Sequence, residues 1–159
     1  MDRLLLVLGE GGHTSEILIL ADLLGEDYAY AYLAVEGDEL STRKIRYPGP
    51  IYRVPRVREK AHNLWRDGWR TLVCAWRSWQ ALRCARPRAV ISSGPGMAVP
   101  VCLLARLRGI AVIYVETGSR VRRLSLSGRL VYPFASLFFV QWPELARRYR
   151  RAIYAGRLC

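Results

Sequence analysis

Three short segments carry the residue types that do chemistry. The first is Gly9-Glu10-Gly11-Gly12-His13, directly after the apolar run Leu4–Leu8. A glycine-rich turn that opens a helix offers unpaired backbone N–H groups and a positive dipole end, which suit an anion or a sugar hydroxyl. It is not the dinucleotide fingerprint, which after Gly9 and Gly11 needs a third glycine where Thr14 stands. Nor is it a P-loop, because no Lys-Ser/Thr pair follows. His13 adds an imidazole, for which two readings stand: a general base, or a side chain that only hydrogen-bonds its own loop. The second segment, Gly94-Pro95-Gly96, is either a rigid backbone platform for a ligand or simply a tight turn. The third begins at Glu116, a carboxylate that can orient a hydroxyl, act as base, or pair with Arg120, Arg122 or Arg123; a lone Glu beside arginines more often pairs.

These segments need a scaffold that brings them to one edge. Apolar runs at Leu4–Leu8, Tyr28–Val35, Ile51–Val54, Ala89–Ile91, Ile110–Val115 and Leu137–Val140 read as strands, the last of them closing the sheet. Helical patterns alternate with them. One is capped by Thr14 or Ser15 and continues through Ile17, Leu18, Ala21 and Leu24. A short one falls within Glu36–Arg46, a long one runs from Ala61 to Arg86, and another spans Ala98–Arg108 with Gly109 as its C-cap. Apolar strands alternating with helices predict a parallel sheet covered on both faces. The expectation is one Rossmann-like α/β domain over residues 1–159, with its ligand loops beyond the carboxyl ends of the strands.

Composition narrows the partners. Twenty-five Lys and Arg against 13 Asp and Glu give a formal charge of +12. Such a balance fits nucleic acid, an anionic membrane surface or phosphorylated substrates. The motifs of the usual RNA-binding folds are absent, so nucleic acid is not expected. Cys74, Cys84, Cys102 and Cys159 have no metal-ligand spacing and read as free thiols, and no metal or other cofactor is expected. Leu4–Leu8 is too short for a signal peptide, and no apolar run approaches the ~20 residues of a spanning helix. A soluble or peripheral protein is expected.

The long helix has a composition of its own. Trp65, Trp69, Leu72, Trp76 and Trp79 fall on one stripe, with Arg66, Arg70 and Arg77 on an adjacent face. Tryptophan beside arginine suits a helix lying among lipid headgroups. The alternative is a core helix packed on the sheet with its arginines solvated.

Taken together and in order, the segments resemble a known family. They are Gly9-Glu10-Gly11-Gly12-His13-Thr14-Ser15-Glu16, Ser93-Gly94-Pro95-Gly96, Tyr114-Val115-Glu116, Arg120 through Leu124-Ser125-Leu126-Ser127-Gly128, and Val140-Gln141-Trp142-Pro143. The chain is similar to the acceptor-side subunit of the two-subunit UDP-N-acetylglucosamine transferase of dolichol-linked oligosaccharide synthesis, and to bacterial capsule and exopolysaccharide relatives. The resemblance implies the N-terminal half of a GT-B glycosyltransferase split over two chains. This half would bind a polyprenyl-phosphate-linked acceptor on the cytoplasmic face of a membrane, while a separate catalytic subunit binds the nucleotide sugar. Carried over by position, His13 and Glu116 become the candidates for the base. Gly11, Gly12, Thr14, Gly94, Pro95 and Gly96 become substrate-binding, and Arg120 becomes a diphosphate ligand. The rival from another class is a recruitment module that anchors the partner and supplies no reacting group.

Overall fold

In a computed structural model the described residues are 1–9, 11–57 and 64–158, with residues 64–67 described in backbone only. Glu10, Cys159 and the side chains of Trp65 and Arg66 lie outside them. The apolar run at the N-terminus becomes β1 (Arg3–Val7), followed by α1 (Gly12–Leu24), β2 (Ala29–Val35), α2 (Glu39–Arg43) and β3 (Ile51–Val54). Next come α3 (Leu64–Ala85), β4 (Ala89–Ser92), α4 (Ala98–Leu107) and β5 (Ala111–Val115). The chain continues through α5 (Leu126–Val131), β6 (Leu137–Val140), α6 (Pro143–Arg148) and β7 (Ala152–Tyr154). Among the described residues all strands pair in parallel, in the order β3-β2-β1-β4-β5-β6-β7.

This architecture is the expected one, with additions. β6 is not the last strand, because Ala152–Tyr154 adds a seventh at the edge. Its short apolar run follows Arg150 and Arg151, and two of its three residues are exposed. Two six-residue helices, α5 and α6, are further additions, too short for periodicity to show. Gly109 does close α4: at φ 72° its N–H bonds Arg106 O while Ile110 N–H bonds Ala105 O, a Schellman arrangement.

Strand alternation divides the core in two. Leu5, Val7, Leu33, Val90 and Val112 point toward α3, α4, α5 and α6, whereas Leu4, Leu6, Tyr30, Tyr32 and Ile91 point toward α1 and the segment around α2. Right-handed crossovers produce this arrangement: connections moving one way along the sheet lie on one face, and those moving the other way lie on the opposite face. Beyond β4 the α1 side therefore has no helix among the described residues. Ile113, Leu137 and Phe139 instead floor an apolar groove of about 380 Å³ beside Leu20 and Leu24, with residues 155–158 in its wall.

The cysteines are free thiols where they are described. Cys74 and Cys102 are buried and Cys84 is exposed. Burial pushes the Cys74 thiol up to about 11 and the Cys102 thiol to about 12. In a Cys159→Ser background, an aromatic disulfide reagent should therefore titrate one thiol quickly in the native protein, and the other two only on unfolding.

Candidate functional site

The strand order reverses between β1 and β4. The helices that follow them, α1 and α4, leave on opposite faces, which opens a crevice at the carboxyl ends of these two strands. Its walls are the Gly9–His13 turn and the Ser93–Gly96 turn, in direct contact: a Cβ on Gly9 would lie 2.8 Å from Pro95 Cβ and 2.9 Å from His13 Cβ. Ser93 Oγ donates to His13 O at 2.9 Å, pinning one turn to the other. Gly94 has φ +103°, and a Cβ there would meet the Tyr114 hydroxyl at 2.5 Å, so no other residue fits. By contrast, a Cβ on Gly11, Gly12 or Gly96 would meet nothing within 4 Å, which leaves their backbone open to an approaching ligand.

The helix starts earlier than its expected cap. Gly11 occupies the N-cap position and the helix begins at Gly12. Neither Thr14 nor Ser15 caps it, and Thr14 is buried. Its hydroxyl is buried, donates to Gly9 O and shares a 2.9 Å hydrogen bond with Ser41 Oγ, so it fastens the turn from beneath. His13 is partly buried and lines a cleft of about 270 Å³ with Gly94, Pro95, Gly96 and Arg56. Its Nδ1 is buried and has no hydrogen-bond partner among the described residues, so that nitrogen is not engaged by its own loop.

Glu116 is placed differently from expectation. It follows β5 with 0% exposure, and it forms no ion pair with Arg122 or Arg123 among the described residues. Instead, Oε1 accepts from Thr117 N at 3.1 Å, and Oε2 accepts from Ser125 N at 2.9 Å and Ser125 Oγ at 3.1 Å. Ser125 Oγ in turn caps α5 by accepting from Gly128 N at 2.9 Å. The carboxylate thus folds the 117–125 loop back on itself. Arg120 is exposed at the turn of that loop. Burial raises the Glu116 carboxyl above its usual range, opposed by the Ser125 and Thr117 hydrogen bonds and by the Arg120 charge.

Glu16 went unread as a site residue. It lies one helical turn beyond His13, yet sequence alone does not distinguish it from any other acid on a helix. It is 7% exposed, and its Oε1 collects Thr117 Oγ1, Gly118 N and Gln141 Nε2.

The tryptophan stripe of α3 faces outward. Trp69, Leu72 and Trp76 are 69%, 65% and 63% exposed, while Cys74, Ser78, Ala81, Leu82 and Ala85 pack inward, so the core reading of the stripe fails for these residues. Trp79 is partly buried beneath the Arg108 guanidinium, 4.5 Å from its ring centroid, which joins α3 to α4. Arg77 pairs with Glu36, and Arg70 is partly buried. Neighbouring helices continue the outer face, with Leu103 and Leu107 on α4 and Leu126 and Leu130 on α5, all exposed.

A single seven-stranded Rossmann-like domain, with its crevice at the strand-order reversal, is one half of a GT-B-type fold. Solved structures agree. The crystal structure of Acinetobacter baumannii MurG superimposes with a TM-score of 0.77 at 16% identity, over 99% of this chain and 45% of that one. The UDP-GlcNAc 2-epimerase of Methanocaldococcus jannaschii gives 0.73 at 17% identity, over 98% and 45%. The chain thus spans less than half the length of either. Residues 4–158 match the family described as "Oligosaccharide biosynthesis protein Alg14 like", and the chain belongs to that family. Among curated relatives, "UDP-N-acetylglucosamine transferase subunit ALG14" of Mus musculus is 36% identical, over 98% of this chain and 82% of its own. The subunit of the same name in Schizosaccharomyces pombe is 33% identical, over 97% and 82%.

The raised Glu116 carboxyl has a measurable consequence. The native state holds this proton more tightly than the unfolded chain, whose carboxyl titrates near ~4.3. Its contribution to stability is therefore fully present below that value and lost as pH rises through the higher native value. Thermal melts across this interval should fall less steeply with pH in Glu116→Gln than in the parent.

Proposed function

We propose that this chain is the acceptor-binding half of a glycosyltransferase split over two polypeptides. It would work on the cytoplasmic face of a membrane, where a sugar passes from a UDP-sugar to an acceptor linked to polyprenyl (di)phosphate. The observation that carries this reading is the His13 cleft, an imidazole lining the space beside the Gly94–Gly96 turn on one half of a two-domain fold. The relatives, named as subunits of a UDP-N-acetylglucosamine transferase, supply the donor class.

In the proposed step the acceptor hydroxyl attacks the anomeric carbon of the donor sugar. His13 takes the hydroxyl proton as the new C–O bond forms, and the sugar–phosphate bond breaks with its electron pair leaving on UDP. The amides of Gly11 and Gly12, at the start of α1, and the open backbone of Gly96 suit phosphate oxygens, and Arg120 supplies a guanidinium for the same charge. Glu116 acts behind them, shaping the loop that carries Arg120.

Two surfaces support the rest. Trp69, Leu72 and Trp76, extended by Leu103, Leu107, Leu126 and Leu130 and accompanied by Arg106, Arg108 and Arg129, make an apolar and basic face suited to anionic headgroups. Among the described residues no helix is long and apolar enough to cross a membrane. The groove over Ile113, Leu137 and Phe139 offers apolar surface for the partner subunit. The recruitment-module reading draws on the complete burial of Glu116, which leaves His13 as the sole proposed base.

Turnover by the assembled complex decides between these readings. His13→Ala should reduce kcat by about 10²-fold or more with the complex intact; unchanged turnover would leave only a recruitment role. Separately, Trp69→Ser with Trp76→Ser should abolish sedimentation with anionic liposomes while leaving the melting temperature within a few degrees, because both side chains are already in water.

A further inference from the structure

The N-terminal turn of α1 is held from two sides. From β4 it is held by Ser93, which donates to His13 O at 2.9 Å. From β5 and β6 it is held by one carboxylate oxygen. Glu16 Oε1 accepts from Gly118 N at 2.7 Å, from Thr117 Oγ1 at 3.0 Å and from Gln141 Nε2 at 3.1 Å. Gln141 Nε2 also donates to Glu116 O at 3.2 Å, its Oε1 accepts from Leu158 N at 2.9 Å, and the neighbouring Trp142 donates from Nε1 to Gly118 O at 2.6 Å. A single buried oxygen therefore ties α1 to two loops more than a hundred positions away and, through Gln141, to the chain's last described residue. His13 and Glu16 lie three apart and share a helix face. Arg120 follows Gly118 by two residues, and its amide bonds Thr117 O at 3.0 Å. Glu16 thus anchors the backbone turn that carries Arg120 to the first turn of α1, which carries His13. Glu16 Oε2 and His13 Nδ1 are each buried with no hydrogen-bond partner among the described residues.

We propose that Glu16 is a positioning residue of the site: it holds the Thr117–Arg120 turn and Gln141 against the first turn of α1, fixing the backbone that carries His13 against the backbone that carries Arg120. The effect on turnover rests on the split-transferase reading; the clamp itself does not. A charged acceptor with three donors is stronger than a neutral one, and removing it strands those donors.

Two measurements on Glu16→Ala and Glu16→Gln test this. In amide hydrogen exchange on the free chain, Gly118 should exchange at least about 10-fold faster in Glu16→Ala while the β1 amides keep their protection, as expected for local and not global opening. In the complex with its partner, kcat per folded molecule should fall on the order of 10²-fold in Glu16→Ala, the cost of a misplacement near 1 Å, with the KM for UDP-sugar little changed. Glu16→Gln, which keeps one carbonyl oxygen, should recover part of both effects. Uniformly faster exchange with unchanged kcat would show a merely structural residue and overturn the proposal, as would an unaffected Gly118 amide. If His13→Ala abolishes turnover while Glu16→Ala does not, the positioning role fails and the transferase reading stands. If the parent complex has no turnover, the transferase reading itself fails, and with it Glu16's role in catalysis.

Discussion

The divergence of α1 and α4 from neighbouring parallel strands is the constraint on which the site depends. β1 and β4 run side by side, but their chains leave in opposite directions, so no loop bridges the gap above them. That gap stays narrow because Gly9, Pro95 and His13 pack together at contact distance. Every other feature of the edge is arranged about this contact. Tyr114 fills the space under Gly94, Thr14 and Ser41 tie down the Gly9 carbonyl, and the 117–125 loop comes in from β5.

Two buried carboxylates then divide the work of ordering loops that have little apolar surface of their own. Glu116 satisfies donors within its own loop, all of them within nine residues. Glu16 satisfies donors from distant parts of the chain. The first makes a loop rigid, and the second makes rigid loops mutually fixed. An unsatisfied buried amide costs about 1–3 kcal/mol, so an acceptor with several donors selects one arrangement among many.

Much of this was legible in the sequence. Apolar runs separated by helical patterns define six of the strands and the parallel sheet, because strands packed under helices leave a compositional trace even over three or four residues, as at Ala89–Ile91. β7 leaves a weaker one: its three residues follow Arg150 and Arg151, are mostly exposed and pair only at the edge. The glycine turns were readable because close backbone contact demands glycine, as at Gly94. The roles of Thr14, Glu16 and Glu116 were not readable, since a hydroxyl or carboxylate looks the same in sequence whether it faces a cleft or the protein interior. The outward aim of Trp69 and Trp76 was likewise undetermined: the stripe has helical spacing in either orientation, and only the small residues opposite it, Cys74, Ser78 and Ala81, show which side meets the sheet.

The bare apolar stretch of sheet beside Leu20 and Leu24 has a consequence for the amount of this protein a cell can keep. Any molecule that covers Ile113, Leu137 and Phe139 in the native state, and not in the unfolded one, stabilises the fold by mass action. At a hundredfold excess over its dissociation constant such a molecule adds about 2.7 kcal/mol, a large fraction of the 5–15 kcal/mol that holds a typical domain together. Supply of such a molecule would then set the lifetime of this chain, and copies left uncovered would be the first to reach the proteases.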